Sequence, residues 1–259
     1  MSRPPLSVLV PTLNEERNLA ACLASVAWAD ELVVVDSRST DRTVDIAEAA
    51  GARVLVRTFD DWSAQKNWAL AQCRHPWVLC VDADERVDSA LAASIADLPP
   101  EPAADGYRIA RRNRFLGHPI RHSGWQDDRV VRLFHRGRGR FEGAIHESVV
   151  GLGRVDALDG ALDHEPYATW GDYERKLWRY ARAGARAAYA AGRRSGPWPM
   201  LIRPPARFLR MYLAQGGFLD GGPGLALCGL TAIAVFLKYA FLWDATRRGP
   251  GVLDPEGTG

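Results

Sequence analysis

Asp82 and Asp84 stand two residues apart at the end of the apolar run Trp77-Val-Leu-Cys-Val81. Such a run reads as a strand buried on both faces. In extended backbone, residues i and i+2 point to one side, so the two carboxylates are expected to share a site. Hard oxygen donors gathered in this way suit Mg²⁺ or Mn²⁺, ions that commonly also hold substrate phosphates. The alternative is a charged turn closing a core strand, since a D-x-D is short and acids are common in turns. A second chemical signal is basic. From Tyr107 to Arg140 there are ten arginines against two acids, Asp127 and Asp128. Arginine forks match phosphate and carboxylate geometry, so an anionic partner is expected. Nucleic acid is not, because neither an aromatic RNA-binding sheet pattern nor a recognition-helix motif accompanies the arginines.

The elements that must position these groups alternate regularly through the first hundred residues. Strands are expected at Leu6–Val10, Leu32–Val35, Val54–Val56 and Trp77–Val81. Helices are expected over 15–26, with Asn14 as N-cap, and over 41–50, ended by Gly51. Two more should cover 63–72 and 89–98. Four βα units in a row imply an α/β fold, a Rossmann-like, mostly parallel sheet flanked by helices. Ligands of such sheets bind outside the carboxyl ends of the strands. The loops that fall there, 11–15, 36–39, 58–61 and 82–85, each carry an acid. A clustering of that kind favours a site over chance solvation. No G-x-G-x-x-G and no P-loop is present, so phosphates would be held mainly by a metal.

Composition is that of an ordinary globular chain: 259 residues, 47% hydrophobic, 25% charged, with formal net charge +2. Cys22, Cys73, Cys80 and Cys228 lie in apolar surroundings without C-x-x-C spacing, which predicts reduced, buried thiols in a cytosolic setting and argues against zinc. The N-terminal residues show no cleavage-like export segment.

Three stretches, Val10-Pro11-Thr12-Leu13-Asn14-Glu15, Val33-Val34-Val35-Asp36-Ser37 with Ser39-Thr40-Asp41, and Val81-Asp82-Ala83-Asp84-Glu85, resemble in order and spacing the nucleotide-site blocks of family 2 glycosyltransferases of the GT-A fold. Gln65-Lys66-Asn67-Trp68-Ala69-Leu70, Arg112-Asn113-Arg114-Phe115-Leu116-Gly117, Ser123-Gly124-Trp125, Asp128, Arg132-Leu133-Phe134, His146-Glu147 and Gly217-Phe218-Leu219-Asp220-Gly221 are similar to the branch that glucosylates the lipopolysaccharide core. Asp127 stands where that branch leads one to expect proline, leaving two adjacent candidates for one role.

The resemblance implies transfer of a sugar, with inversion, from a nucleoside diphosphate donor such as UDP-glucose to an anionic glycolipid or saccharide acceptor. It implies a divalent metal on Asp82 and Asp84, with Asp84 the more direct ligand and Asp82 shared between ion and ribose; the His146-Glu147 pair would be a further metal or acceptor contact, or else a hydrogen-bonded pair. Pro11, Thr12, Asn14, Glu15 and Asp36 would line the nucleoside pocket, and Trp125 the sugar site. Lys66 would reach a donor phosphate or Asp36, or else be a surface lysine. Asp128 is the expected base, with Asp127 in reserve. Other readings are another nucleotide sugar, a polyprenyl-phosphate acceptor, or a non-catalytic nucleotide-sugar-binding protein.

Beyond Trp170–Ala191, read as one long helix, Pro197 and Pro199 interrupt the chain. Arg203, Arg207 and Arg210 then alternate with apolar residues, the makeup of a basic amphipathic helix at a membrane surface. Gly221–Leu237 carries no charge. The expected division is a transferase domain over 1–196, a membrane-associating helical segment over 197–246 and a disordered tail over 247–259. An interfacial or re-entrant attachment at the cytoplasmic face of the inner membrane is favoured over a transmembrane helix or a buried core helix.

Overall fold

The computed structural model describes residues 3–143, 147–167 and 169–254. The chain forms two compact units, Met1–Arg112 with Asp127–His164, and Asn113–Gln126 with Glu165–Gly259.

In the first unit, strand β1 (Leu6–Thr12) is buried at every residue. A strand apolar on both faces needs cover on both, and alternation supplies it. Leu6, Val8 and Val10 pack with Leu19, Cys22 and Leu23 of helix α1 (Leu19–Ser25), whereas Leu9 packs on the opposite face with Ala69 and Leu70 of helix α3 (Trp62–Gln72). Strand β2 (Glu31–Asp36) and strand β3 (Arg53–Val56) are joined by helix α2 (Thr43–Ala49). Strand β4 (Trp77–Cys80) returns to the other side of β1, so the parallel strands lie in the order β3-β2-β1-β4, the expected succession of βα units.

The sheet then continues in antiparallel fashion, which the sequence did not reveal. A short strand β5 (Glu85–Val87) leads to helix α4 (Ser89–Ala96), capped by Asp88, whose Oδ1 accepts from Leu91 N at 2.7 Å. Strand β6 (Gly106–Phe115) and the two-residue β7 (His118–Pro119) precede β8 (Arg129–His135), the pair β9 (Arg140–Glu142) and β10 (Ser148–Val150), and β11 (Val155–His164). The completed order is β3-β2-β1-β4-β8-β6-β11-β5, with β4 to β8, β8 to β6 and β11 to β5 antiparallel.

One local expectation fails. Asn14 is not a helix cap: it has φ 55°, and α1 begins only at Leu19. Its side chain accepts from Thr40 N at 2.8 Å and its own N–H donates to Ser39 Oγ at 2.8 Å. A partner distant in sequence has taken the polar group that local pattern assigned to a helix.

The second unit is helical. Helix α5 (Trp170–Ala190) opens with a reciprocal capping box between Thr169 and Asp172. Helix α6 (Pro197–Leu209) runs into a π-turn over Arg210–Ala214 and a short 3₁₀ turn, and helix α7 (Gly221–Arg248) follows. A boundary at 196 would cut through this unit. Ala185 and Ala188 of α5 pack with Leu242 and Ala245 of α7, so α5 belongs with the C-terminal helices. Nor does a loose tail begin at 247. The helix runs to Arg248, Leu253 is fully buried, and Arg186 Nη2 donates to its carbonyl at 2.7 Å; residues 255–259 lie outside the described part. α7 is long and apolar enough to cross a membrane by length and composition, and 17% of its most apolar window is buried. All four cysteines are buried and unbridged, as expected.

Candidate active site

The strand order reverses at β1, because β2 and β3 lie to one side and β4 to the other. In open α/β sheets that reversal opens a crevice at the carboxyl ends of the strands concerned. Here sequence ends the pairing directly. Val81 N donates to Leu9 O at 3.0 Å, and the next rung between β1 and β4 would need an N–H from Pro11, which has none. Pairing stops, and the chain after Val81 is free to turn.

On the β2 side, Thr12 and Asp36 are direct partners in the ladder. The Asp36 carboxylate accepts from Thr12 Oγ1 at 3.0 Å, Ser39 N at 2.8 Å and Ser39 Oγ at 2.5 Å, and is only 1% exposed. Glu15 N donates to Thr43 Oγ1 at 2.8 Å, and Glu16 N to Asp41 Oδ2 at 3.2 Å. The loops after β1 and β2 are thus tied into one rim. Pro11, Thr12, Asn14, Glu15 and Asp36 lie together along that rim, with Asp36 as its internal brace.

On the β4 side, the acidic stretch lies in a turn, β4 having ended at Cys80. Residues i and i+2 face together only in extended backbone, which the turn removes. Asp82 Oδ1 accepts from Lys66 Nζ at 3.1 Å, and Oδ2 accepts from Arg132 Nη2. Asp84 Oδ1 instead lies 3.8 Å from His164 Nε2. Among the described residues no three His, Cys, Asp or Glu side chains gather into a metal-holding group. His146, expected as a metal or acceptor contact, lies outside them. Asp84 remains a hard oxygen donor, 17% exposed, of the kind Mg²⁺ and Mn²⁺ take.

Lys66 is 1% exposed, so it is no surface lysine, and it pairs with Asp82 rather than Asp36. It also donates to Glu147 Oε1 at 2.5 Å. Arg132 donates to Glu85 Oε1 at 2.9 Å, and Arg111 Nη1 lies 3.5 Å from the same oxygen. The far side of Arg111 forms a bidentate fork on Asp128, 2.8 and 2.9 Å, closing a network that runs from Glu147 to Asp128. Burial alone would raise the Asp82 carboxyl, but the adjacent Arg132 and Lys66 charges prevail and hold it well below the usual carboxylate range. Burial would likewise lower the Lys66 ammonium, yet Asp82 raises it above its ordinary value. Desolvation pushes the Cys22 thiol up to about 12 and Cys80 to about 11, so neither offers a thiolate.

The two base candidates differ in surroundings. Asp128 is gripped by Arg111, whereas Asp127 is exposed and makes no side-chain hydrogen bond or ion pair among the described residues. Trp125 is half-buried in the second unit's cluster around Phe115 and Tyr173. The sequence pattern gives no individual role to Arg132, Arg111, Glu85 or His164, and the Glu147 expected beside His146 as a metal or acceptor contact pairs with Lys66. For Arg132 a signal existed: a lone arginine inside the apolar run Val130-Val131-Arg132-Leu133-Phe134 is buried only if paired.

Comparison with known proteins adds four findings. The sequence model of Glycosyl transferase family 2 matches residues 7–145. The chain is 32% identical over 254 residues to the lipopolysaccharide core biosynthesis glycosyltransferase LpsC of Rhizobium meliloti, spanning 91% of this chain and 93% of that one. It is also 41% identical over 261 residues to an uncharacterized glycosyltransferase of Rickettsia bellii, covering 94% and 87%. Among solved structures, S. aureus TarS 1-349 in complex with UDP-GlcNAc superposes with TM-score 0.51 at 17% identity, over 95% of this chain and 92% of that chain, a likeness of fold.

Proposed function

From the premise that this chain belongs to glycosyl transferase family 2, and is a glycosyltransferase of GT-A fold, we propose that it moves glucose from UDP-glucose to a lipid-linked saccharide such as the lipopolysaccharide inner core. The anomeric centre inverts in a single displacement at the cytoplasmic face of the inner membrane. The observation that carries the reading is the reversal of strand order at β1, where Asp36 ends β2 on one side and Asp82 follows the end of β4 by two residues on the other. The name of the LpsC relative supports the lipopolysaccharide acceptor. Glucose rests on the branch resemblance.

The rim formed by Pro11, Thr12, Asn14, Glu15 and Asp36 receives the nucleoside. Lys66 and Arg132, buried beside the opening, present positive charge to the diphosphate. Asp84 would hold a Mg²⁺ or Mn²⁺ ion, which when bound neutralises the leaving diphosphate; Asp82 contributes only as far as its two cations release it. Asp128, oriented by the Arg111 fork, takes the acceptor hydroxyl proton, with Asp127 as the alternative. Thermal-shift screening of nucleotide sugars with and without Mn²⁺, followed by assay of nucleoside diphosphate release, tests the proposal. Stabilisation by a uridine diphosphate sugar only when the ion is present is expected. Equal stabilisation by unrelated nucleotides, or release unaffected by Asp84→Asn, would overturn it.

A further inference from the structure

α7 has a charged companion along its length. Near its start, Leu227 and Cys228 share a buried cluster with Tyr173 of α5. Further on, Lys238 faces Gly184, Phe241 lies 5.3 Å from the Arg182 guanidinium, and Leu242 and Ala245 pack with Ala185 and Ala188. Positions rise together in both helices, so α5 runs beside α7 in the same direction. α5 carries Asp172, Glu174, Arg175, Lys176, Arg179, Arg182 and Arg186. Were α7 to cross a bilayer, this row of ionised side chains would enter hydrocarbon with it, where each is strongly disfavoured.

α6 has the character of a lipid-facing element instead. It buries no residue. Trp198, Leu201, Ile202 and Leu209 recur at helical spacing on one stripe and are 51–69% exposed. Arg203, Arg207 and Arg210 form a second exposed stripe, and residues 197–214 contain no acid. Apolar side chains backed by fixed positive charge suit an anionic headgroup layer. A second copy of the chain would bring like charge against like.

We propose that the second unit is a monotopic anchor: α6 lies in the headgroup layer of an anionic leaflet with Trp198, Leu201 and Ile202 inserted, and α7 does not cross. The inference rests on the proposed membrane location, but its test reads lipid binding and not sugar transfer. Purified full-length protein is floated with vesicles of phosphatidylcholine alone or mixed with phosphatidylglycerol. Binding to the mixed vesicles only, reversed by raised salt, is expected. Replacing one of Arg203, Arg207 or Arg210 by Gln should weaken partitioning about fivefold.

The double variant Leu201→Glu, Ile202→Glu should abolish flotation with an unchanged circular dichroism spectrum and unchanged release of nucleoside diphosphate from the donor. From cell membranes, alkaline carbonate should extract the chain. Equal binding to neutral vesicles, resistance to carbonate, or wild-type flotation of the double variant would each overturn the anchor, as would a lipid-free dimer that the double variant dissociates. Absence of diphosphate release in the wild type would instead count against the transferase reading alone.

Discussion

Lys66 decides how the site responds to substitution. Its ammonium, 1% exposed, sits between Asp82 and Glu147. Lys66→Ala leaves those carboxylates without their shared cation, and breaking a buried pair in this way costs roughly 3–5 kcal/mol, which urea denaturation would register. Asp84→Asn should leave stability nearly unchanged while removing metal-dependent turnover. Comparing the two separates a folding role from a ligand role. Asp82→Ala could not do so, because it takes a partner from both Lys66 and Arg132.

The same pairs set the pH response. Asp82 is held below its unfolded value of about 3.9, so its contribution is present above about pH 4 and is lost as pH falls towards the folded value. Lys66 is raised, so its contribution is present below about pH 10.4 and is lost only as pH rises through the folded value. Melting temperature should therefore fall below about pH 4, and Lys66→Ala should make that acid limb shallower. At the catalytic step, Asn in place of the true base should lower kcat by about 10²–10⁴ with donor affinity kept. A loss on Asp127→Asn with little change on Asp128→Asn would reverse the assignment proposed for the pair.

At the scale of elements, β11 and α4 meet at a glycine. Gly160 has φ 88°, and a Cβ there would lie 2.1 Å from Leu91 N, at the capped start of α4. Backbone cannot move aside as a flexible side chain can, so Gly160→Ala should cost at least about 1–3 kcal/mol from overpacking, before the strained φ is added. Gly192→Ala, also at positive φ but with nothing within 4 Å, carries only the left-handed penalty of about 1–2 kcal/mol. Urea midpoints should rank the two in that order. The βα succession up to β4 was legible because continuous apolar runs and helical spacing are local properties. β5, β6 and β11 were not, since Gly106–Phe115 and Val155–His164 interleave charge with apolar residues and draw their burial from strands distant in sequence.

At the scale of the molecule, the second unit is discontinuous. Asp220 accepts from Arg121 N, His122 N and Ser123 Oγ, each at 3.0 Å, so residues 113–126 are held by the C-terminal segment. A chain ending at 196, where composition alone places a boundary, would lose Asp220 and also the α7 residues that cover Ala185 and Ala188. It should be insoluble or rapidly proteolysed around 113–126, whereas the full chain resists; a stable, monomeric 1–196 fragment would refute this division.

Sequence by itself determined the parallel strands, the acids and Thr12 at their carboxyl ends, and the apolar C-terminal helix, because burial on two faces and helical periodicity are written in consecutive residues. Only tertiary structure decided that Asp82 and Asp84 lie in a turn and not in the strand, that Lys66 and Arg132 are buried on Asp82, and that α5 accompanies α7. Those outcomes depend on charges distant in sequence meeting where water is excluded, and no local pattern encodes which partner a buried charge will find.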